Sequence, residues 1–347
     1  MTHWMGGSRA ALVAAVLFGA ATPFSKLLLG PFDPWLLAGV LYLGSGVGLA
    51  MLRLVTAGRG GRLARSDVPW LIGAIAAGGA VAPVLLMWGL AHTSAASASL
   101  LLNAEGLLTA IIAWFVFHEN FDRRIVLGMA MIAAGALVLS WPRQGGIDAA
   151  LPSLAIVAAC LAWGLDNNLT RRVALSDAGM IAMLKGLVAG TVNVVLASVI
   201  GARWPAPGAL AAAAALGFLS YGVSLVLFVR ALRDLGTART AAYFSTAPFA
   251  GAVLAVVLLG ERVTWGLALA ALLMGWGVWL HLTERHVHEH VHGAMDHDHE
   301  HEHDAHHQHE HEVAVPPGTR HTHRHRHEPL THVHEHFPDA HHRHDHR

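Results

Sequence analysis

The chain has 347 residues, of which 54% are hydrophobic and only 13% are charged. A soluble globular protein carries about 25% charged residues, so this composition excludes an ordinary soluble fold and indicates a lipid bilayer as solvent. The formal net charge of zero carries little information by itself. The single cysteine, Cys160, excludes a disulfide framework and a thiolate metal cluster within one chain.

Ten apolar segments follow one another along the chain. A spanning helix needs about 20 mostly apolar residues, and short connections leave no room for soluble domains between the segments. They cover roughly residues 10–29, 34–55, 69–90, 94–117, 124–141, 151–169, 178–200, 208–229, 236–259 and 264–282. The sequence therefore predicts an all-α polytopic membrane protein with ten transmembrane helices, and we interpret the first segment as a span rather than a cleaved leader.

The segments form an internal repeat. Residues 94–140 return 142 positions later, where Glu119 corresponds to Glu261 and Gly135 to Gly277. Each copy has five spans, and because five is odd the two copies are inverted with respect to each other. We predict one five-helix repeat at residues 8–142, a second at 150–282, and a separate tail at 284–347.

Arginines are distributed unevenly between the two sides. If the N-terminus is cytoplasmic, the inside connections hold Arg53, Arg59, Arg62, Arg65, Arg123, Arg124, Arg171, Arg172, Arg230 and Arg233, and the outside ones hold Arg143, Arg203 and Arg262. Positive residues accumulate on the cytoplasmic side of membrane proteins. We therefore expect a multi-pass protein of the bacterial inner membrane with both termini in the cytoplasm.

The two halves share short motifs. An aromatic-Gly pair lies in each opening helix, at Phe18-Gly19 and Trp163-Gly164, and a glutamate follows each fourth helix, at Glu119 and Glu261. This whole pattern, over about residues 8–282, resembles the drug/metabolite transporter superfamily, EamA type. The resemblance implies ten helices, inverted repeats and a central substrate path in a secondary transporter. It names no substrate.

Two charged residues are candidates for substrate binding or coupling. Glu105 lies in the middle of the fourth segment, where a carboxylate costs at least ~2.5 kcal/mol. It is either a proton-coupling or amine-binding site, or a neutral acid hydrogen-bonded between helices. Lys185, in the seventh segment, either pairs with Glu105, attracts an anionic substrate, or extends toward the inner face.

The opening helices of the two halves carry further polar candidates. Asp166, Asn167 and Asn168 form a cluster in the sixth segment, and Pro23, Ser25 and Lys26 occupy the matching part of the first. Since three consecutive residues spread around a helix, at least one of the cluster faces a cavity or a neighbouring helix. The departure from symmetry is that Pro23 stands opposite Asn168. Proline frees a backbone carbonyl in mid-span, which serves either a substrate site or a structural kink.

The tail has a different composition, since 23 of the 27 histidines lie from His286 onward. Such a segment is expected to be disordered. Many histidines alternate with other residues, so each His-x-His offers two imidazoles to one ion in an extended chain. This donor set suits Zn²⁺, Ni²⁺, Co²⁺ or Cu²⁺. The predicted metal ligands are His286, His288, His290, His292, His297, His299, His301, His303, His306, His307, His309, His311, His321, His323, His325 and His327.

These observations favour a secondary transporter that exports a small polar metabolite or amino-acid-like solute and carries a metal-binding tail. Two alternatives are a divalent metal efflux transporter whose tail delivers or senses the ion, and a membrane-anchored metal-storage or sensor protein. An enzyme is disfavoured because no nucleophile–base constellation or cofactor loop is evident. The expected partners are the bilayer, a solute and divalent metal ions. No required cofactor and no nucleic acid are expected, and a homodimer is left open.

Overall fold

The structure is a computed structural model of the chain. It describes residues 2–56, 65–117, 123–141, 147–170, 178–235 and 237–283, and in the tail residues 287–292, 295–301, 321–327 and 330–335. The chain divides into two compact units, Met1–Glu284 and Arg285–Arg347. The first is called here the membrane unit and the second the tail.

Helices make up the described part of the membrane unit. The α-helices are α1 Thr2–Leu28, α2 Pro34–Thr56, α3 Val68–Ala74, α4 Ala82–Ala91, α5 Ala95–Leu101, α6 Ala104–Phe117, α7 Arg123–Ser140, α8 Leu151–Thr170, α9 Ala178–Val199, α10 Pro207–Gly217, α11 Ser224–Leu235, α12 Thr237–Phe244, α13 Ala247–Leu259 and α14 Trp265–Leu282. Short 3₁₀ helices cover Arg65–Asp67 and Ile147–Ala150, and π-helical segments cover Ile75–Val81 and Phe218–Val223.

Nine helical stretches in the described residues are long and apolar enough to cross a bilayer. The remaining predicted span, α8, has 20 residues and carries Asp166, Asn167 and Asn168 near its end, which lowers its hydropathy. The predicted all-α polytopic membrane fold is confirmed. Its spans are numbered 1 to 10 below, with span 3 running through α3, the first π segment and α4, and span 8 through α10, the second π segment and α11.

Both halves interrupt their helices at corresponding places. The third helix of each half contains a π-helical segment, at Ile75–Val81 and Phe218–Val223. The fourth helix of each half is broken, between α5 and α6 at Leu102–Asn103 and between α12 and α13 at Ser245–Thr246. The repeat offset of 142 residues places Ser245 opposite Asn103. The repeat found in the sequence is therefore also a repeat of backbone irregularities, a feature that is frequent at functional sites.

Most of the close helix pairs combine one helix from each half. α2 packs on α9, α7 on α14, α1 on α11 and α13, and α8 on α4 and α6. Small residues permit this proximity, as expected where lipid replaces water. A Cβ added to Gly251 on α13 would lie 2.6 Å from the carbonyl oxygen of Gly19 on α1 and 2.8 Å from the hydroxyl of Ser99 on α5. Glycine at position 251 thus brings three helices together.

Polar contacts identify two ends of the bundle. At one end Lys26 contacts the residues between α4 and α5, and Glu261 contacts the first residues of α5. At the other end Arg124 donates a hydrogen bond to the carbonyl of Thr283. We call the first end the distal face and the second the arginine face, because Arg53, Arg65, Arg123 and Arg230 lie at the helix ends on that side.

The tail contains paired strands in its described residues. β1 Val287–His292 pairs antiparallel with β4 Leu330–Glu335, and β2 Met295–His301 pairs antiparallel with β3 His321–His327. The register places His290 opposite His332 and His299 opposite His323. These four segments are extended, and the rest of the tail, for which disorder is expected, lies outside the described residues. The physical reason is the two-residue period of the sequence, which is compatible with extended chain.

Candidate functional site in the membrane unit

Glu105 lies at the start of a half-helix in the middle of span 4. The Asn103 side chain donates to the carbonyl of Leu100 at 2.9 Å, a local bond that competes with helix continuation. The helix resumes at Ala104, so Glu105 is in the first turn of α6. A carboxylate at a helix N-terminus is stabilised by the backbone amides there. The break therefore provides a polar position for a charge that would otherwise sit within continuous apolar helix.

The Glu105 carboxylate faces span 6 rather than a lysine. Asn167 donates through Nδ2 to Glu105 Oε1 at 2.9 Å and to the Thr109 hydroxyl at 3.2 Å. Glu105 is half-buried and Asn167 is exposed, so this pair borders space that protein does not fill. Asn167, Glu105 and Thr109 form a polar contact between α8 and α6.

Lys185 forms an ion pair with Asp166. Its Nζ lies 2.6 Å from Oδ1 and 2.5 Å from Oδ2 of the carboxylate, and the Thr170 hydroxyl donates to Oδ1 at 2.9 Å. The side chains are only 18% and 5% exposed for lysine and aspartate. Pairing with Glu105 was one of three alternatives for Lys185, and the structure gives Asp166 as the partner instead, since Asp166 on α8 faces α9 and Asn167 turns toward α6.

The π-helical segment of span 3 presents backbone carbonyls to side chains. Gly78 O accepts from the Tyr42 hydroxyl at 3.0 Å and from Trp163 Nε1 at 2.9 Å. Asn193 donates to the carbonyls of Gly79 and Ala80 at 3.2 and 3.3 Å. A π-helical segment shifts carbonyls out of the regular α-helical ladder, and these donors satisfy them without water.

Gly78 also lies directly against the ion pair. A Cβ at this position would overlap the Asp166 carboxylate. Tyr42, Asn193 and Gly78 were not among the sequence candidates. The signal that points to Asn193 is an amide within an otherwise apolar run; Tyr42 and Gly78 have no comparable signal.

An aromatic series extends from the polar groups toward the first helix. Trp163 Nε1 donates to the Tyr42 hydroxyl at 3.3 Å, the rings of Tyr42 and Tyr221 lie 5.7 Å apart, and those of Phe18 and Tyr221 lie 5.8 Å apart. Phe18 also contacts Phe244, at 5.2 Å. Tyr221 belongs to the second π segment and Phe244 precedes the break in span 9. The series therefore connects the interrupted helices of both halves.

Pro23 and Asn168 mark matched helix crossings. Proline has no amide hydrogen and leaves the carbonyl four residues earlier, Gly19 O, without its helical donor, and this oxygen lies against Gly251. At the matching crossing Asn168 donates to Gly164 O at 2.8 Å and to Thr109 O at 3.1 Å. Both positions thus hold an opening helix against a broken one, by different chemistry.

Lys26 and Ser25 lie away from Glu105. Lys26 Nζ donates to the carbonyls of Leu90, Ala91 and Thr93 at 2.6, 3.2 and 2.8 Å, so all three of its hydrogens are used at the C-terminal end of α4. Ser25 is fully buried, and its hydroxyl has no hydrogen-bond partner in the described residues.

A cavity of about 690 Å³ opens near Lys26 at the distal face, lined by Lys26, Ala91, His92, Thr93, Ser94, Ser97, Val138, Leu139, Trp141, Thr264 and Leu267. Glu105, Asp166 and Lys185 are not among the residues that line it. Of the sequence candidates, the structure brings together Glu105, Asp166, Asn167 and Lys185, with Asn168 at the adjacent crossing, and it separates Pro23, Ser25 and Lys26 from them.

No group of three or more His, Cys, Asp or Glu side chains suited to a metal ion occurs in the part of the chain that the structure describes. Of the predicted tail ligands, His288, His290, His292, His297, His299, His301, His321, His323, His325 and His327 lie on the four strands, and His286, His303, His306, His307, His309 and His311 lie outside the described residues, as does Glu119 in the membrane unit.

Comparisons with known proteins agree with this architecture. The chain is 26% identical over 289 residues to an uncharacterized transporter of Methanothermobacter thermautotrophicus, covering 78% of this chain and 84% of the relative. It is 23% identical over 248 residues to the uncharacterized transporter YyaM of Bacillus subtilis, covering 67% and 80%.

A solved structure described as a crystal structure of protein superposes with a TM-score of 0.58 at 20% identity, covering 79% of this chain and 96% of that one, which shows a shared fold. The model of the EamA-like transporter family matches residues 5–141 and 151–283, which together take in both five-helix halves. The chain therefore belongs to the EamA-like transporter family.

Proposed function

We propose that this protein is a secondary transporter that exports a small polar or amino-acid-like solute along a path between its two halves, with Glu105 as the group that couples or binds. The observation that carries the proposal is the position of Glu105. It stands in the first turn of a half-helix in mid-span, half-buried, with an exposed amide as its hydrogen-bond donor. An ionisable side chain within a membrane span is by default a candidate for a functional site.

Charge balance supports a coupling role. The chain has two lysines. Lys185 is held by Asp166 and Lys26 by three carbonyls at the distal face. In this proposal the charge of Glu105 is balanced by a proton or by a cationic group of the solute, and exchange of one for the other couples transport to proton movement. Asn167, which also donates to the Thr109 hydroxyl, holds the carboxylate in place during that exchange. No enzymatic step is part of this proposal.

The location follows from the arginines. Positive residues cluster on the arginine face, and such residues favour the cytoplasmic side. We therefore assign the arginine face to the cytoplasm and both termini with it, in a bacterial inner membrane. Export then means movement from the arginine face to the distal face.

We also propose that the tail binds divalent transition metals such as Zn²⁺, Ni²⁺ or Co²⁺. Alternating histidines support this, and so does the strand register, which sets His299 opposite His323 and His290 opposite His332. Residues directly opposite in an antiparallel pair have Cβ atoms about 4.5–5.5 Å apart. In this proposal the metal is buffered or sensed by the tail. If the metal were itself the transported substrate, removal of the tail would lower metal tolerance. No organic solute would then be exported, with or without the tail.

A growth screen tests the transport proposal. A bacterial strain that overexpresses the protein is challenged with amino acids, toxic analogues and divalent metals, and compared with a strain without it. We expect tolerance to a polar organic solute, and its loss in Glu105→Gln. The matched control is Asp67→Asn, which removes a half-buried carboxylate at the start of span 3. Full tolerance with Glu105→Gln would contradict the role of Glu105.

Truncation after Thr283 distinguishes between the three hypotheses for the function of the tail. Solute tolerance that persists in the truncated chain supports a solute transporter with an accessory tail. Loss of metal tolerance, with no organic solute affected in either chain, would instead support metal efflux. If the truncated chain conferred none of the tolerances that the full chain confers, the result would support a membrane-anchored metal-storage protein.

A further inference from the structure

The broken helices of the two halves pack closely only on one side of the breaks. On the distal side α5 packs against α13, with Ser99 and Gly251 at the contact. On the arginine side, α6 and α12 make no comparable packing contact within the described residues. The pairs α5–α13 and α6–α12 are related by the repeat, so in the part of the chain that the structure describes spans 4 and 9 pack together at the distal face and not at the arginine face.

The Glu261 side chain crosses between the halves at the closed end. Glu261 follows span 9, and its two oxygens accept hydrogen bonds from the backbone amides of Ala95 at 2.7 Å and Ala96 at 2.8 Å, in the first turn of α5. These amides belong to the set that a helix leaves without internal partners. A carboxylate with two such donors makes charge-assisted bonds, the strong class.

The remaining groups of this connection are tied within the first half. Ser94 caps α5 by accepting from the Ser97 amide at 3.1 Å, and Lys26 holds the end of α4. Among these hydrogen bonds of the described residues around the α4–α5 connection, the two to Glu261 come from the second half and the others from the first. Movement of span 9 away from span 4 must break the two bonds to Glu261 and return two amides and a carboxylate to water.

We infer that Glu261 is the positioning residue that holds the distal gate of the transport path shut and releases α5 when that gate opens. The inference deepens the proposed function, because it assigns the closed end of the path and the contact that must be exchanged on opening. It needs no knowledge of the solute. A cap that merely stabilises α5 would lower stability when removed but would leave the distance between spans 4 and 9 unchanged.

Distances between spin labels test the gate directly. Labels are placed at Ser97→Cys and Leu258→Cys in a Cys160→Ala background, in the full chain reconstituted in lipid nanodiscs. We expect a mainly short distance for the otherwise unaltered chain and an added longer population for Glu261→Gln. Loss of one charge-assisted hydrogen bond and of the charge should raise the ratio of open to closed molecules about tenfold or more.

Asp33→Asn is the matched control. Asp33 also lies at the distal face and accepts from the backbone amides of Trp35 at 2.9 Å and Leu36 at 3.4 Å, but it caps its own helix and joins no other. We expect its distance distribution to superimpose on that of the unaltered chain. Ala95→Pro removes one donor from the other side of the contact, and the extended backbone of Ser94 (ψ 146°) accommodates a following proline.

The decisive comparison uses folded protein, verified by thermal unfolding of each variant. The gate is supported if Glu261→Gln shows an added population with a longer distance between the labels and Asp33→Asn shows none. If Glu261→Gln does not accumulate in the membrane, Ala95→Pro takes its place. The gate would be refuted if the distance distributions of both Glu261→Gln and Ala95→Pro superimposed on that of the unaltered chain. An equal lengthening in Asp33→Asn would also refute it. No solute is present in the distance measurement, so unchanged distances would refute the gate and leave the solute-transport proposal standing. Full solute tolerance with Glu105→Gln would instead count against the transport proposal and leave the gate standing.

Discussion

Substitution of Lys185 by methionine should be strongly destabilising, because it leaves the Asp166 carboxylate without its cation. The carboxylate is only 5% exposed and lies against Gly78. Removal of one partner from a buried ion pair typically costs about 3–5 kcal/mol. The Thr170 hydroxyl remains as a donor, so we expect a loss of about 3 kcal/mol in the free energy of unfolding.

The double variant Asp166→Asn/Lys185→Met removes both charges and leaves no uncompensated ion. Its loss of stability should be smaller than the sum of the two single losses, by about 2 kcal/mol, because contacting residues couple in a double-mutant cycle. The control is Arg230→Met. Arg230 pairs with Asp234 at 4.0 Å and is 70% exposed, and exposed pairs contribute about 0–1 kcal/mol.

Unfolding in mixed micelles with increasing sodium dodecyl sulfate provides the measurement, followed by the fluorescence of the 11 tryptophans. A loss below about 1 kcal/mol for Lys185→Met, similar to that of Arg230→Met, would refute the reasoning. Strict additivity of the two charge removals would show that Asp166 and Lys185 do not depend on each other.

Three further outcomes are expected. In a Cys160→Ala background, a membrane-impermeant thiol reagent added to intact cells should label Arg203→Cys and leave Ser66→Cys unlabelled, since Ser66 lies at the arginine face. The full chain should bind several more Zn²⁺ ions than a chain that ends at residue 283, with binding that weakens as the pH falls through roughly 6.5, because neutral imidazole is the ligand. Gly19→Ala should cost about 1–3 kcal/mol, because its methyl would overlap the Ala247 carbonyl.

Each outcome has a result that would contradict it. Labelling of Ser66→Cys from outside would reverse the topology. Equal Zn²⁺ binding by the two chains, or binding that is constant from pH 5 to 8, would leave the tail as a solvated segment. Unchanged stability of Gly19→Ala, with Gly6→Ala as the control at a position where a Cβ meets nothing within 4 Å, would mean that the crossing of spans 1 and 9 tolerates extra volume.

The fold was predictable from the sequence because a bilayer imposes a length and an apolar composition on each span. The repeat could be read from pairs such as Glu119 and Glu261, since an internal duplication keeps its spacing. Glu105 could be singled out as a candidate because a carboxylate in mid-span is costly. Its place at a helix break depends on local competition by the Asn103 side chain, which no apolar pattern records.

The partners of the polar groups were less predictable. Asp166, Asn167 and Asn168 are consecutive, yet they face α9, α6 and the α6–α8 crossing respectively. Which face meets which helix depends on rotation and tilt, and spacing along the chain determines neither. The π-helical segments have no motif of their own, so the contacts of Tyr42 and Asn193 with freed carbonyls emerged only from the structure. Glu261 was interpreted as a feature of the repeat, and its contact with α5 gives that feature a physical basis.

The most direct test of the central claim is solute transport in vesicles under an imposed pH gradient. Protein is reconstituted with the solute that the growth screen identifies, and accumulation is measured for the unaltered chain, Glu105→Gln and Asp67→Asn. The account predicts accumulation that depends on the gradient for the unaltered chain and Asp67→Asn, and none for Glu105→Gln although it remains folded. Equal accumulation by Glu105→Gln, with the same dependence on pH, would show that Glu105 neither couples nor binds and would contradict the account.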